Sequence, residues 1–142
     1  MGKRHRGREV ALQILYGIDL TGEESKVAFE RAIENFALAP EVSDFSLFLV
    51  RGVAEDREQL DALIGQVSEH WRLDRMSVVD RNILRVAAYE LIHAPDVPAR
   101  VVLDEAIEIA KSFGTEASPA FINGVLDQLA ATVRERAGER RP

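Results

Sequence analysis

Residues 80–91, DRNILRVAAYEL, followed after a short interval by residues 96–114, DVPARVVLDEAIEIAKSFG, decide the fold. In the first, Ile83, Leu84, Ala87, Ala88 and Leu91 recur at helical spacing on one face; in the second, Val102, Ala106, Ile109, Ala110 and Phe113 form another such stripe. Pro95 and Pro98 close the first helix, because proline lacks the N–H a helix interior needs, and they define a loop. Gly114 reads as a left-handed stop for the second.

The same period extends in both directions. Ser118 and Pro119 read as an N-cap and first helical position, opening a stripe of Ile122, Val125, Leu126, Leu129 and Val133. Asn123-Gly124 alone would signal a hairpin turn, but the helical period runs through it. Toward the N-terminus, Ala11, Ile14, Leu15 and Ile18 form a stripe ended by Thr21 and Gly22. Val27, Ala28, Ala32 and Phe36 form another, opened by Ser25 and closed near Pro40. Ser43 or Asp44 is a suitable cap for a third, Phe45, Phe48, Leu49 and Val53, which resumes as Leu60, Leu63, Ile64 and Val67 after a break or bend at Glu55 and Asp56. No segment alternates like a strand and no repeat is visible. An all-α bundle of about six or seven helices is predicted, with a basic arm over 1–8, helical halves over about 9–70 and 71–135 that join near residues 69–76 beside Trp71, and a basic tail over 136–142.

Composition bounds the function. The 142 residues suit one domain able to bury a core unaided, and 46% hydrophobic with 30% charged residues is too apolar for intrinsic disorder. The absence of cysteine removes disulfides, thiolate metal sites and a cysteine nucleophile. A cytoplasmic, soluble protein is expected, since no apolar run approaches the ~18 residues of a membrane span.

The net charge of −6 is unevenly spread. Lys3, Arg4, Arg6 and Arg8 stand together with no acid among them, whereas residues 9–133 hold 10 basic and 22 acidic residues. A basic arm on an acidic body suits an anionic partner. Guanidinium groups fork onto phosphates and stack on exposed bases, which favours RNA; a solvated terminus is the plainer reading. Phe121 lies off the regular stripe beside the expected cap Ser118, where a ring could stack on an unpaired base or simply join the core. Asp104, Glu105 and Glu108 read as a solvated face rather than an acid/base pair. His5, His70 and His93 have no metal-binding spacing, and no catalytic framework surrounds any serine, so no cofactor, no metal and no enzymatic activity are expected.

Three stretches together resemble the NusB family of transcription antitermination factors: the arm with REVALQILYGIDL (residues 8–20), the central pair quoted above, and FINGVLD (residues 121–127). The resemblance covers nearly the whole chain. It implies two three-helix halves and no catalysis. It further implies pairing with NusE, a small-subunit ribosomal protein, binding of boxA RNA, and assembly with RNA polymerase and other Nus factors to suppress termination in ribosomal RNA operons. By the same resemblance Lys3, Arg4, Arg6, Arg8 and Phe121 are RNA-binding residues, and Tyr16 and Asp80 face NusE. Asp80 would complement a basic partner, and Tyr16 has the apolar body and polar tip of an interface anchor. His5 and Gly7 interrupt the basic run, and Ala117 and Ala120 stand near Phe121 where relatives often carry polar side chains, which predicts weak RNA binding without NusE. Two alternatives remain on sequence alone: the related helical domain of RNA cytosine methyltransferases, opposed by the chain's length, and a self-associating scaffold, including a homodimer.

Overall fold

The computed structural model describes residues 2–68 and 72–139, with side chains described as far as Arg134. His70, Trp71, Arg140 and Arg141 lie outside the described residues, as does the side chain of Arg136. The described residues form seven α-helices and no strand: α1 (Lys3–Thr21), α2 (Ser25–Phe36), α3 (Pro40–Glu55), α4 (Arg57–Val67), α5 (Val78–His93), α6 (Ala99–Phe113) and α7 (Ser118–Glu139), with a 3-10 turn at Leu73–Arg75. The all-α expectation therefore holds. None of these helices is long and apolar enough to cross a membrane.

Helix α5 is the centre. Its segment from Asn82 to Leu91 is buried on nearly every face, and it packs against α1, α3, α4, α6 and α7. A helix enclosed by five others must be apolar almost all round, which is why the stretch that decides the fold is so rich in alanine and branched aliphatics. Its Leu84 and Leu91, and around it Leu49, Leu60, Ile64, Ile122, Leu126 and Leu129, are almost wholly inaccessible, each contributing about 1.5–3 kcal/mol through burial.

Several local expectations are corrected. Helix α1 starts at Lys3, so the basic residues are themselves helical rather than an arm preceding the helix. Helix α3 opens with Pro40 at its first position, not at Ser43 or Asp44, and Ser43 instead donates its hydroxyl to the Pro40 carbonyl. Helix α2 buries Phe29 and Ala32, while Val27 and Phe36 are exposed, so its buried face is rotated from the predicted stripe. Phe113 is likewise exposed at the end of α6. Gly114 is extended (φ −94°, ψ −166°), not left-handed. Ser118 does not cap its own helix: its Oγ turns back to accept the Thr115 N–H at 2.9 Å and closes the preceding loop. The predicted break at Glu55 and Asp56 is real, separating α3 from α4.

Candidate nucleic-acid interface

Helices α1 and α5 run antiparallel, and a polar clamp fixes each end of the pair. At one end the Arg8 guanidinium donates from Nε to Glu90 Oε2 and from Nη2 to Glu90 Oε1, both at 2.8 Å. Both side chains are buried, at 4% and 1% exposure. Glu105 of α6 approaches Arg8 Nη1 at 3.8 Å and is hydrogen-bonded to His5 Nδ1, which ties α6 into the same cluster. At the other end Asp19 accepts from Asn82 Nδ2 and Arg85 Nη1, both at 3.0 Å, and from Arg81 Nε at 3.3 Å. Arg85 in turn forks onto Asp61 of α4 at 2.7 and 3.0 Å. Burial pushes the Asp19 carboxyl up, but the Asn82 hydrogen bond and the Arg85 and Arg57 charges outweigh it and hold its pKa below the ordinary value.

This geometry sorts the basic residues. The expectation that Arg8 contacts RNA is corrected: its guanidinium is enclosed and committed to Glu90. Lys3, Arg4 and Arg6 remain exposed. Lys3 pairs with Glu41 at 3.1 Å with both side chains 63% exposed, and Arg6 approaches Glu9 at 3.8 Å; such surface pairs give way readily to a competing anion. Arg4 lies over the Phe45 ring at 5.0 Å from its centroid and Arg6 over Phe36 at 5.8 Å, so aromatic faces orient both guanidiniums. The first turn of α1 has no acid and no side-chain cap, so these cations add to the positive end of the helix dipole.

The two interruptions of the basic run are structural. Gly7 lies where α1 meets α3: a Cβ there would press on the Phe45 ring, and the Gly7 carbonyl accepts the Ser46 hydroxyl at 3.0 Å. His5 is the residue that reaches Glu105.

Phe121 is partly buried one turn into α7, packed against the core. It lies on the α6–α7 side of the bundle, which the His5–Glu105 bond links to the start of α1. Tyr16 is 39% exposed on α1. Asp80 is half-buried in the first turn of α5, its backbone N–H bonded to Ser77 Oγ at 3.0 Å and its Oδ1 buried without a hydrogen-bond partner among the described residues. Because Asp19, one turn beyond Tyr16, bonds to Arg81 and Asn82, Tyr16 and Asp80 share the end of the bundle opposite Arg8.

Sequence reasoning missed Glu90, Asp19, Asp61 and Arg85, and it read Glu105 as part of a solvated face. A signal was present: Arg85 and Glu90 interrupt the most apolar stretch of the chain, and a charge on an enclosed helix demands a partner. The remaining acids of α6 are as expected, with Asp104 paired to Arg100 and Glu108 to Lys111 on the surface.

Comparison with known proteins places this architecture. The family model described as "NusB family" matches residues 5–131. A transcription antitermination protein NusB of Anaeromyxobacter dehalogenans is 49% identical over 140 residues, covering 97% of this chain and 98% of that protein. One from Desulfatibacillum aliphaticivorans is 46% identical over 129 residues, covering 91% and 90%. Among solved structures, T. maritima NusB superposes with a TM-score of 0.86 at 36% identity, covering 96% of each chain. The structure of antitermination factors NusB and NusE in complex with dsRNA matches with a TM-score of 0.84 at 27% identity, covering 93% of this chain and 98% of that one. On the sequence match and the shared helical architecture alike, this chain belongs to the NusB family.

Proposed function

We propose that this protein is a transcription antitermination factor that pairs with NusE and binds boxA RNA, suppressing termination during transcription of ribosomal RNA operons. It acts by assembly with NusE, RNA and the elongating polymerase with its other Nus factors, not by turnover. The observation that carries this reading is the start of α1, where Lys3, Arg4 and Arg6 are exposed around a helix N-terminus that has no acid in its first turn. Unpaired backbone N–H groups, the positive end of the dipole and three side-chain cations converge there, and each favours a phosphate.

Phe121 supplies the base-stacking half of the RNA site, and Tyr16 with Asp80 the surface for NusE. The close similarity to relatives named as antitermination proteins, and to a NusB that was solved with NusE and dsRNA, supports the assignment. The chain is to be passed over gel filtration alone, with NusE, and with NusE and a boxA oligoribonucleotide. Co-elution of all three is the expected result, with RNA held more weakly when NusE is omitted. Elution of this chain apart from both partners would defeat the proposal, and a peak at twice the chain's mass would instead favour a homodimer.

A further inference from the structure

A strip of rings crosses from α3 to the end of α5. Phe45 and Phe48 stack with centroids 6.1 Å apart at 21°, Phe48 meets Tyr89 edge-on at 5.2 Å, and Tyr89 lies 4.5 Å from the His93 ring. Gly52 makes the strip possible, because the Tyr89 ring lies against its Cα where any Cβ would stand. Phe45, Phe48 and His93 of this strip line a groove together with Lys3, Arg4, Glu41, Asp44 and Asp96.

The charges in this groove are unequal in availability. Lys3 pairs loosely with Glu41 at the surface, Arg4 rests on Phe45, and His93 at the far end lies 3.0 Å from Asp56. Asp44 and Asp96 are exposed and have no ion-pair partner among the described residues, and Phe48, which lines the same groove, is 38% exposed. A polyanion would be drawn to Lys3 and Arg4, whose surface contacts yield readily, whereas a planar cation would find in Phe48, Asp44 and Asp96 an exposed ring and two unneutralised counter-charges. The groove already displays that mode of contact in the Arg4 guanidinium over Phe45.

We infer that this groove is a docking site for an arginine-bearing segment of a partner protein, one guanidinium lying on Phe48 with Asp44 and Asp96 as its counter-charges. The site lies beside Lys3 and His93, at the end of the α1–α5 pair opposite Tyr16 and Asp80, so it is a protein-binding surface additional to the one proposed for NusE. It does not depend on the RNA reading.

The test is calorimetric titration of the full chain with an acetylated, amidated tetra-arginine peptide at ~150 mM salt, where long-range attraction to the acidic body is screened. Phe48→Ala is expected to weaken binding roughly two- to fivefold, the usual worth of an exposed cation–π contact. Asp44→Asn with Asp96→Asn, on exposed side chains that no fold contact requires, is expected to weaken it by a similar factor or more. Tetra-lysine is expected to bind less tightly, since only the guanidinium is planar. Asp104→Asn on α6 serves as the control and is expected to change nothing. The inference is overturned if the peptide does not bind, if Asp104→Asn weakens it as much as the groove variants, or if Phe48→Ala spares the peptide. Loss of boxA RNA binding in Phe48→Ala with unchanged peptide binding would make the strip an RNA surface instead.

Discussion

Arg8 and Glu90, 82 positions apart, meet in a two-bond fork across α1 and α5, with both donor–acceptor distances at 2.8 Å and both side chains out of solvent. This contact fixes the basic turn of α1 to the central helix. It also sets the register from which Lys3, Arg4 and Arg6 project.

Truncating one member leaves the other charged and enclosed. Arg8→Ala or Glu90→Ala alone is expected to cost about 3–5 kcal/mol, read as a lower urea midpoint, and the joint change Arg8→Met with Glu90→Leu to cost far less or to stabilise. Equal losses in the single and joint variants would show that packing, not charge compensation, dominates the site.

Asp19 makes stability depend on pH with a defined sign. Its folded pKa is depressed, so its contribution is complete above the unfolded carboxyl pKa of about 3.9 and is lost as pH falls through the still lower folded value. Asp19→Asn is expected to flatten the acid limb of stability below about pH 4, measured by urea denaturation. An unchanged limb would place the acid sensitivity elsewhere.

The RNA contact proposed for the start of α1 would carry a countable salt dependence. With Arg8 committed to Glu90, three cations remain, and contacts from Lys3, Arg4 and Arg6 to single-stranded RNA give a log–log slope of about −2.1, from roughly −0.7 per phosphate. Replacing all three by alanine is expected to abolish most of that slope without lowering thermal stability appreciably. A slope steeper by a further contact in the native chain would mean that Arg8 is released on binding.

Gly7 interrupts the basic run, so Gly7→Arg restores its density on paper. The structure predicts the opposite of a gain: the new Cβ presses on the Phe45 ring where α1 and α3 meet, at a cost of about 1–3 kcal/mol. A fall in the midpoint temperature together with RNA affinity no better than the native chain's is the expected pair of results. Tighter RNA binding at unchanged stability would show that the helices can part there.

Sequence alone determined the helical class, the break at Glu55 and Asp56 and most of the core, because a 3.6-residue period reports directly which face of each helix is apolar. It failed on α2, where Val27, Phe29, Ala32 and Phe36 support two nearby faces and only packing against α1 and α3 decides between them. The grouping of Lys3, Arg4 and Arg6 was equally legible, being local. What only the tertiary structure decided is which charges are free to act. Arg8 and Arg6 look alike in sequence, yet one is enclosed against Glu90 and the other open to solvent. Nothing in a linear pattern states that Glu90, Glu105 or Asp61 will stand opposite a given arginine. Those partners come from distant helices, and the cost of enclosing an unpaired charge is set only once the helices close.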